Sequence, residues 1–192
     1  MKQNKKIAVT GGIGSGKSLF MRAVKEAGFP ALSCDEEYRA LLTEESFLKG
    51  LFALFPQAEE GGKLNKKALA ALVFSDENAR RQLNAYAHPR IMARIFEKAE
   101  KFPVVFAEVP LLFESNLEGA FDLVISVRRN KEERIRAVVK RDGGTKEEAL
   151  LRMAAQFPPE ELENKECLIL ENDGTEQEFL EKATAMIRSV TS

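Results

Sequence analysis

Residues 11–18 carry the clearest chemical signal in this sequence. They read GGIGSGKS and match the phosphate-binding pattern G-x-x-x-x-G-K-[ST] at every position. Glycines let a short loop curl without Cβ clashes, so that successive backbone N–H groups turn toward one anion. The pattern therefore predicts a site for the phosphates of a nucleoside triphosphate, in preference to an ordinary glycine-rich turn with an exposed lysine.

Each polar group of this loop has an expected partner on the nucleotide. Lys17 is expected to reach the β- and γ-phosphates, and the hydroxyl of Ser18 to hold Mg²⁺. The N–H of Leu19 lies in the first turn of the following helix and is expected to face the α-phosphate. The predicted nucleotide contacts in the loop are Gly12, Ile13, Gly14, Ser15, Gly16, Lys17, Ser18 and Leu19.

The segments around the loop predict the sheet that must position it. Residues 7–10 form a short aliphatic run before the loop, and a helix is expected after it to about residue 27, with Gly28 as its stop. Further strands are expected at 29–33, 104–109, 123–127 and 167–170, separated by helical segments. Spacings like capping boxes, at Asn130, Thr145 and Thr175, mark three helix starts. Strands alternating with helices predict a doubly wound α/β fold.

Two helical segments interrupt this pattern. The first, about 36–101, is predicted to form an insertion, with breaks near 55–56, 60–63, 75–76 and 88–89, and with Pro89 in the first turn of a new helix. The second, about 129–157, is predicted to form a lid. The core is then about 1–35, 102–128 and 158–192. From Arg128 to Arg152 there are nine basic residues against five acidic ones, so this stretch suits phosphates.

Bulk composition excludes several classes of protein. The net charge of −1 over 192 residues gives no general attraction to nucleic acid or to an anionic membrane. Two cysteines form neither a disulfide framework nor a zinc spacing, and no run is long enough to span a bilayer. We expect a cytoplasmic protein, either a monomer or a weak homo-oligomer.

A GTPase would need Asn-Lys-x-Asp, whereas residues 164–167 read Asn-Lys-Glu-Cys. A small-molecule kinase remains, with a non-catalytic nucleotide-binding switch as the alternative.

A kinase also needs a base for the acceptor and cations for the developing charge. Asp35, just beyond the second predicted strand, is placed to accept a proton from the acceptor hydroxyl, or alternatively to cap the next helix. Arg141 and Arg152 in the predicted lid are candidates for stabilising the transferring phosphoryl group, against the alternative of a solvated helix face. The other arginines of this stretch, Arg128, Arg129, Arg134 and Arg136, are assigned to the solvated face.

Three further polar residues and one short segment have two interpretations each. His88 binds the acceptor or caps a helix, and Glu108 lines the cleft or pairs with a buried cation. Arg39 pairs with a substrate phosphate or with Glu36. Residues 172–174, Asn-Asp-Gly, pass the adenine edge or form an ordinary turn.

Taken in order along the chain, these segments resemble the dephospho-CoA kinase family. The specific parts are the loop with its preceding Thr10 and the segment Pro-Leu-Leu-Phe-Glu at 110–114. Supporting parts are the strand ending near Asp35, His-Pro at 88–89, Arg-Met-x-x-Gln at 152–156 and Asn-Asp-Gly at 172–174. The resemblance covers nearly the whole chain, from about residue 7 to the last helix.

This resemblance implies a fold and a reaction. The fold would be like that of nucleoside monophosphate kinases, with a parallel sheet flanked by helices, a helical substrate lobe and a helical lid. ATP, with Mg²⁺, would phosphorylate the 3′-hydroxyl of dephospho-CoA. The implied catalytic residues are Asp35, Lys17, Arg141 and Arg152.

The same resemblance extends the list of ligand contacts. Further ATP contacts would be Arg141, Asn172 and Gly174, and the substrate contacts would be Asp35, Arg39, His88, Glu108, Pro110, Leu111 and Leu112. Two positions depart from the family: Ser33 replaces the first aspartate of an Asp-x-Asp, and Leu19 replaces a common threonine. Asp35 must therefore act without the carboxylate that the family often has at position 33.

Overall fold

Strand β1, Lys5–Thr10, is the central strand of a five-stranded sheet. The structure is a computed structural model that describes residues 4–154, 156 and 165–192. The other strands are β2 (Ala31–Ser33), β5 (Val104–Glu108), β6 (Leu123–Arg128) and β7 (Leu168–Glu171). Their order is β2-β5-β1-β6-β7, and β1 pairs in parallel with β5 and β6, as β6 does with β7. The predicted parallel α/β sheet is confirmed, and each predicted strand lies within two residues of the observed one.

Two helices pack on this sheet and complete its hydrophobic core. Helix α1, Lys17–Glu26, follows the loop, and helix α8, Glu176–Thr191, ends the chain. A fully buried large apolar side chain contributes roughly 1.5–3 kcal/mol to folding, so this core is a main source of stability. Its buried members are Ile7, Val9, Phe20, Met21, Ala23, Val24, Phe106, Ile125, Val127, Leu170, Phe179, Ala183, Ile187 and Val190.

The helix ends follow local sequence signals. Gly28, at φ +83°, donates its N–H to the carbonyl of Lys25 at 3.0 Å, which confirms the predicted stop of α1. Thr175 and Glu178 form the predicted capping box at the start of α8.

Contacts within the chain divide it into two units. One runs up to Leu32 and resumes at Ala99, and the other is Ser33–Lys98. The second unit contains α2 (Cys34–Leu41), α3 (Glu45–Leu54), the short strands β3 (Glu59–Glu60) and β4 (Lys63–Leu64), α4 (Lys66–Ser75) and most of α5 (Glu77–Ala99). No helix in the described part of the chain has the length and apolarity needed to cross a bilayer.

Helix α5 corrects one prediction from the sequence. A break at 88–89 was expected there, but the helix continues through Pro89. Proline lacks an N–H and removes one helical hydrogen bond. The apolar face of the helix nevertheless stays buried on both sides of the proline, through Ala87, Ile91, Met92, Ile95 and Ala99. Burial of this face outweighs the local loss, and the predicted position of Pro89 in a first helical turn is wrong.

Two segments of the predicted lid form helices, α6 (Lys131–Asp142) and α7 (Lys146–Ala154). Thr145 and Glu148 exchange the two hydrogen bonds of a capping box at 2.9 and 3.2 Å, as predicted. Asn130 caps α6 alone, through the N–H of Glu132. The predicted capping box is therefore wrong at this helix, because Asn130 does not engage the N–H of Glu133, and the Glu133 side chain pairs with Arg129 at 3.0 Å. Residues 155 and 157 of the predicted lid lie outside the described residues.

Candidate functional site

Three glycines of the loop between β1 and α1 have positive φ angles. Gly11, Gly14 and Gly16 lie at φ +140°, +76° and +107°, a region that other residues rarely adopt. Space is also limiting, since a Cβ on Gly14 would lie 2.6 Å from the carbonyl oxygen of Arg134. These positions therefore need glycine both for conformation and for close packing.

Helix α1 begins without a side-chain cap. Its N-cap residue is Gly16, so no side-chain oxygen accepts from the first N–H groups. The N–H of Leu19 donates to the carbonyl of Gly16 at 3.0 Å. The hydroxyl of Ser15 is buried and has no hydrogen-bond partner among the described residues. A helix start of this kind suits an anion, which supplies the missing acceptors.

Lys17 folds back over the loop that precedes it. Its Nζ donates to the carbonyls of Gly11 and Gly12 at 2.7 and 3.2 Å. The ammonium group is therefore already held at the mouth of the loop, next to the N–H groups that are expected to bind phosphate.

Asn172, which follows β7, holds the loop through a side-chain hydrogen bond to its backbone. It is buried, and its Nδ2 donates to the carbonyl of Ser15 at 2.8 Å. Its own N–H donates to the carbonyl of Arg128 at 2.8 Å. The sequence interpretation considered the adenine edge or an ordinary turn for this residue. It missed this support, because the partner lies 157 residues away.

Among the arginines assigned to the solvated face, Arg128 and Arg129 have side chains only 22% and 26% exposed, and Arg134 in α6 departs most from that prediction. It was assigned to a solvated face, but it is only 7% exposed. Its Nε donates to the carbonyl of Ile13 at 2.9 Å, and the N–H of Ile13 donates to Oε1 of Gln156 at 2.7 Å. The one available signal was its position, since Arg134, Ile135 and Val138 share the buried face of the helix.

The two predicted lid arginines share one carboxylate. Nε and Nη2 of Arg141 donate to the two oxygens of Asp142 at 2.7 and 3.0 Å, and Nη1 of Arg152 donates to Asp142 at 2.7 Å. These hydrogen bonds raise the pKa of Arg141 and lower that of Asp142. Both arginine side chains remain more than half exposed, so the pairing is weak in water.

The edge of β5 contributes further polar and apolar groups. Glu108 is the last residue of the strand and is half-buried. Leu111 is half-buried, whereas Leu112 is fully buried and belongs to the hydrophobic interior beneath this edge. A small cavity of about 30 Å³ beside the loop is lined by Thr10, Gly11, Gly12, Pro110, Phe113, Glu114, Ser126 and Gln156.

The second unit presents the predicted base at a helix start. Ser33 is the N-cap of α2, and its hydroxyl accepts from the N–H of Glu36 at 3.4 Å. Asp35 lies in the first turn with an exposed side chain. Since Ser33 performs the capping, the alternative role of Asp35 as the helix cap is not observed. Arg39 is exposed and makes no ion pair with Glu36 or with any other residue that the structure describes.

His88 lies within α5 and is half-buried. Burial lowers the pKa of its imidazole, so the ring is neutral near pH 7. It is not a helix cap, because the helix continues on both sides of it.

A glycine-rich phosphate loop at the carboxyl edge of a parallel sheet, with two arginine-bearing helices beside it, defines a P-loop kinase. A gluconokinase from Sinorhizobium meliloti shares this fold, with a TM-score of 0.51 and 14% identity over 97% of this chain and 93% of its own. The sequence model of the dephospho-CoA kinase family matches residues 5–178. The chain belongs to the dephospho-CoA kinase family.

Individual relatives agree with this assignment over nearly their full length. A protein named dephospho-CoA kinase from Thermus thermophilus is 38% identical, over 96% of this chain and 91% of its own. The one from Geobacillus kaustophilus is 32% identical, over 95% and 94%. Among solved structures, one from Thermus thermophilus has a TM-score of 0.89 at 37% identity and covers 99% of both chains. A dephospho-CoA kinase from Campylobacter jejuni has a TM-score of 0.70 at 27% identity and covers 98% of both.

Proposed function

We propose that this protein transfers the γ-phosphoryl group of ATP to the 3′-hydroxyl of dephospho-CoA, giving CoA and ADP. The observation that carries the proposal is the intact phosphate loop between β1 and α1, in a chain that the dephospho-CoA kinase family matches over residues 5–178. The reaction would complete CoA synthesis.

The loop binds the polyphosphate in this proposal. Backbone N–H groups at the uncapped start of α1 face the phosphates, and Lys17 exchanges its two loop carbonyls for phosphate oxygens. Ser18 has an exposed side chain in the first turn of α1, so its hydroxyl fits a Mg²⁺ ligand. Mg²⁺, when bound, neutralises charge on the phosphates. The further proposed ATP contacts are Gly12, Ile13, Gly14, Ser15, Gly16, Leu19, Arg141, Asn172 and Gly174.

Asp35 is the proposed base. Its carboxylate takes the proton of the 3′-hydroxyl as that oxygen bonds to the γ-phosphorus, and the bond to the β-phosphate oxygen breaks to release ADP. Two observations support this role: the side chain is exposed, and Ser33 relieves it of helix capping. The absence of a carboxylate at position 33 leaves Asp35 to perform this step alone.

The lid arginines stabilise the charge that develops during transfer. Arg141 and Arg152 are held by Asp142 through exposed ion pairs, and they exchange this carboxylate for the oxygens of the phosphoryl group. The proposed acceptor contacts are Arg39, His88, Glu108, Pro110, Leu111 and Leu112. Arg39 suits an acceptor phosphate, because no described carboxylate engages it.

The first experiment measures ADP release from ATP and Mg²⁺ with dephospho-CoA, and separately with AMP. Product masses identify which molecule gained a phosphate. Conversion of dephospho-CoA alone, to CoA, supports the proposal. Turnover of AMP alone would replace it with a nucleotide kinase, and turnover of neither would favour a nucleotide-binding switch.

The second experiment tests the base. Asp35→Asn is expected to lower kcat by at least about a hundredfold and to leave ATP affinity unchanged, because only proton transfer is lost. Glu36→Gln is the matched control, since Glu36 is the next exposed carboxylate in the same helical turn. Full activity in Asp35→Asn would show that Asp35 is not the base.

A further inference from the structure

Arg134 carries a buried positive charge beside the phosphate loop. Its residue exposure is 7%, whereas Arg136, two positions along the same helix, has a side chain that is 77% exposed. A buried charge is costly unless an opposite charge or several hydrogen bonds compensate it. The surroundings of Arg134 therefore indicate what the charge is for.

The guanidinium contacts the loop and one side chain. Nε donates to the carbonyl of Ile13 at 2.9 Å, and Nη2 reaches Oε1 of Gln156 at 3.4 Å. A Cβ on Gly12 would overlap the guanidinium, so the group lies in van der Waals contact with the loop at that position. The backbone of Arg134 also packs closely against Gly14.

Within residues 4–154, 156 and 165–192, no carboxylate forms an ion pair with Arg134. Its partners are a carbonyl and an amide, both neutral. Burial accordingly lowers the pKa of the guanidinium, although the group stays charged. The loop that it contacts is the proposed receptor for a polyanion.

We propose that Arg134 is a positioning residue of the nucleotide site. It fixes the Ile13 peptide of the loop, and it holds an uncompensated positive charge against Gly12, which the phosphates of a bound nucleoside triphosphate neutralise. The charge therefore destabilises the nucleotide-free protein and stabilises the nucleotide complex. This inference rests on the proposed nucleotide site but not on the identity of the acceptor.

The test measures ATP affinity and, separately, the melting temperature of the nucleotide-free protein. Arg134→Gln removes the charge, and Arg136→Gln removes an equal charge from the exposed face of the same helix. We expect Arg134→Gln to weaken ATP binding at least about tenfold in a calorimetric titration with Mg²⁺. The melting temperature of the nucleotide-free protein should stay the same or rise, because an uncompensated buried charge has been removed. Arg136→Gln should change neither quantity.

A purely structural Arg134 gives the opposite result. Arg134→Gln would then lower the melting temperature of the empty protein and leave the ATP affinity unchanged, which overturns the proposal, as would no change in either. If both fall, Arg134→Lys decides, because it keeps the charge and loses the planar contacts. Recovery of ATP affinity in Arg134→Lys supports the proposal, and its absence overturns it. Turnover of dephospho-CoA by the unmodified protein is measured separately, so failure of the proposed function is recognised independently.

Discussion

Gly14→Ala is the sharpest test of how the loop is built, because the chain offers a close control. Gly14 and Gly28 have nearly the same backbone conformation, at φ +76° and +83°. They differ in space: a Cβ on Gly14 would meet the carbonyl oxygen of Arg134 at 2.6 Å, whereas a Cβ on Gly28 would meet no atom within 4 Å.

The expected difference follows from these two numbers. Both alanines incur the strain of a left-handed residue, about 1–2 kcal/mol. Only Gly14→Ala adds the overlap with a backbone atom, and overpacking of this kind costs roughly 1–3 kcal/mol. Since 1.4 kcal/mol is tenfold in affinity, an overlap that displaces the loop should weaken ATP binding roughly 5- to 150-fold.

Calorimetric titration with ATP and Mg²⁺ measures this directly. Gly28→Ala should bind ATP like the unmodified protein, although its melting temperature falls. Equal ATP affinities for the two variants would refute the conclusion that position 14 needs glycine for close packing as well as for conformation.

Two further predictions concern the helical unit. Glu37 is buried and accepts from Arg94 at 3.1 Å and from Lys98, so Glu37→Gln should lower the free energy of unfolding by about 2 kcal/mol. Thermal unfolding measures this, with Glu36→Gln as the control because Glu36 is exposed. Equal melting temperatures for the two variants would contradict the prediction. Burial lowers the pKa of His88 below its ordinary value of 6.5, so the unfolded chain binds the proton more readily. Stability should therefore be full above about pH 7.5 and decline as the pH falls through 6.5 toward the folded pKa; His88→Gln should abolish that decline, and a decline that persisted would refute it.

The sheet and the loop were predictable because their signals are local. Short aliphatic runs marked the strands, and the pattern of residues 11–18 specified the loop together with its glycines. Capping by Thr175 and the stop at Gly28 likewise depend on a few neighbouring residues.

The parts that were missed depend on distant partners. Nothing near Pro89 shows that Ile91 and Met92 are buried on one continuous face, so the sequence favoured a break where packing preserves the helix. Arg134 looks like its basic neighbours until α6 is seen against the loop. The bond from Asn172 to Ser15 joins opposite ends of the chain, and no local pattern encodes it.

The roles of Asp35, Arg39 and His88 remain predictions, since they depend on the acceptor. What the structure adds is the availability of Asp35 and Arg39. Asp35 and Arg39 have exposed side chains, and neither is used by the cap or the ion pair that were the alternatives.

The glycine cap of α1 makes the stability of the protein depend on the concentration of nucleotide. The first N–H groups of this helix lack a side-chain acceptor, and ATP bound at the proposed site would supply one. ATP would then stabilise the folded chain only while it is bound. At a free concentration one hundred times Kd, a ligand adds about 2.7 kcal/mol to stability. That is a large fraction of the roughly 5–15 kcal/mol typical of a domain. Core substitutions of modest severity would therefore be silent while nucleotide is plentiful and would cause unfolding when it is depleted.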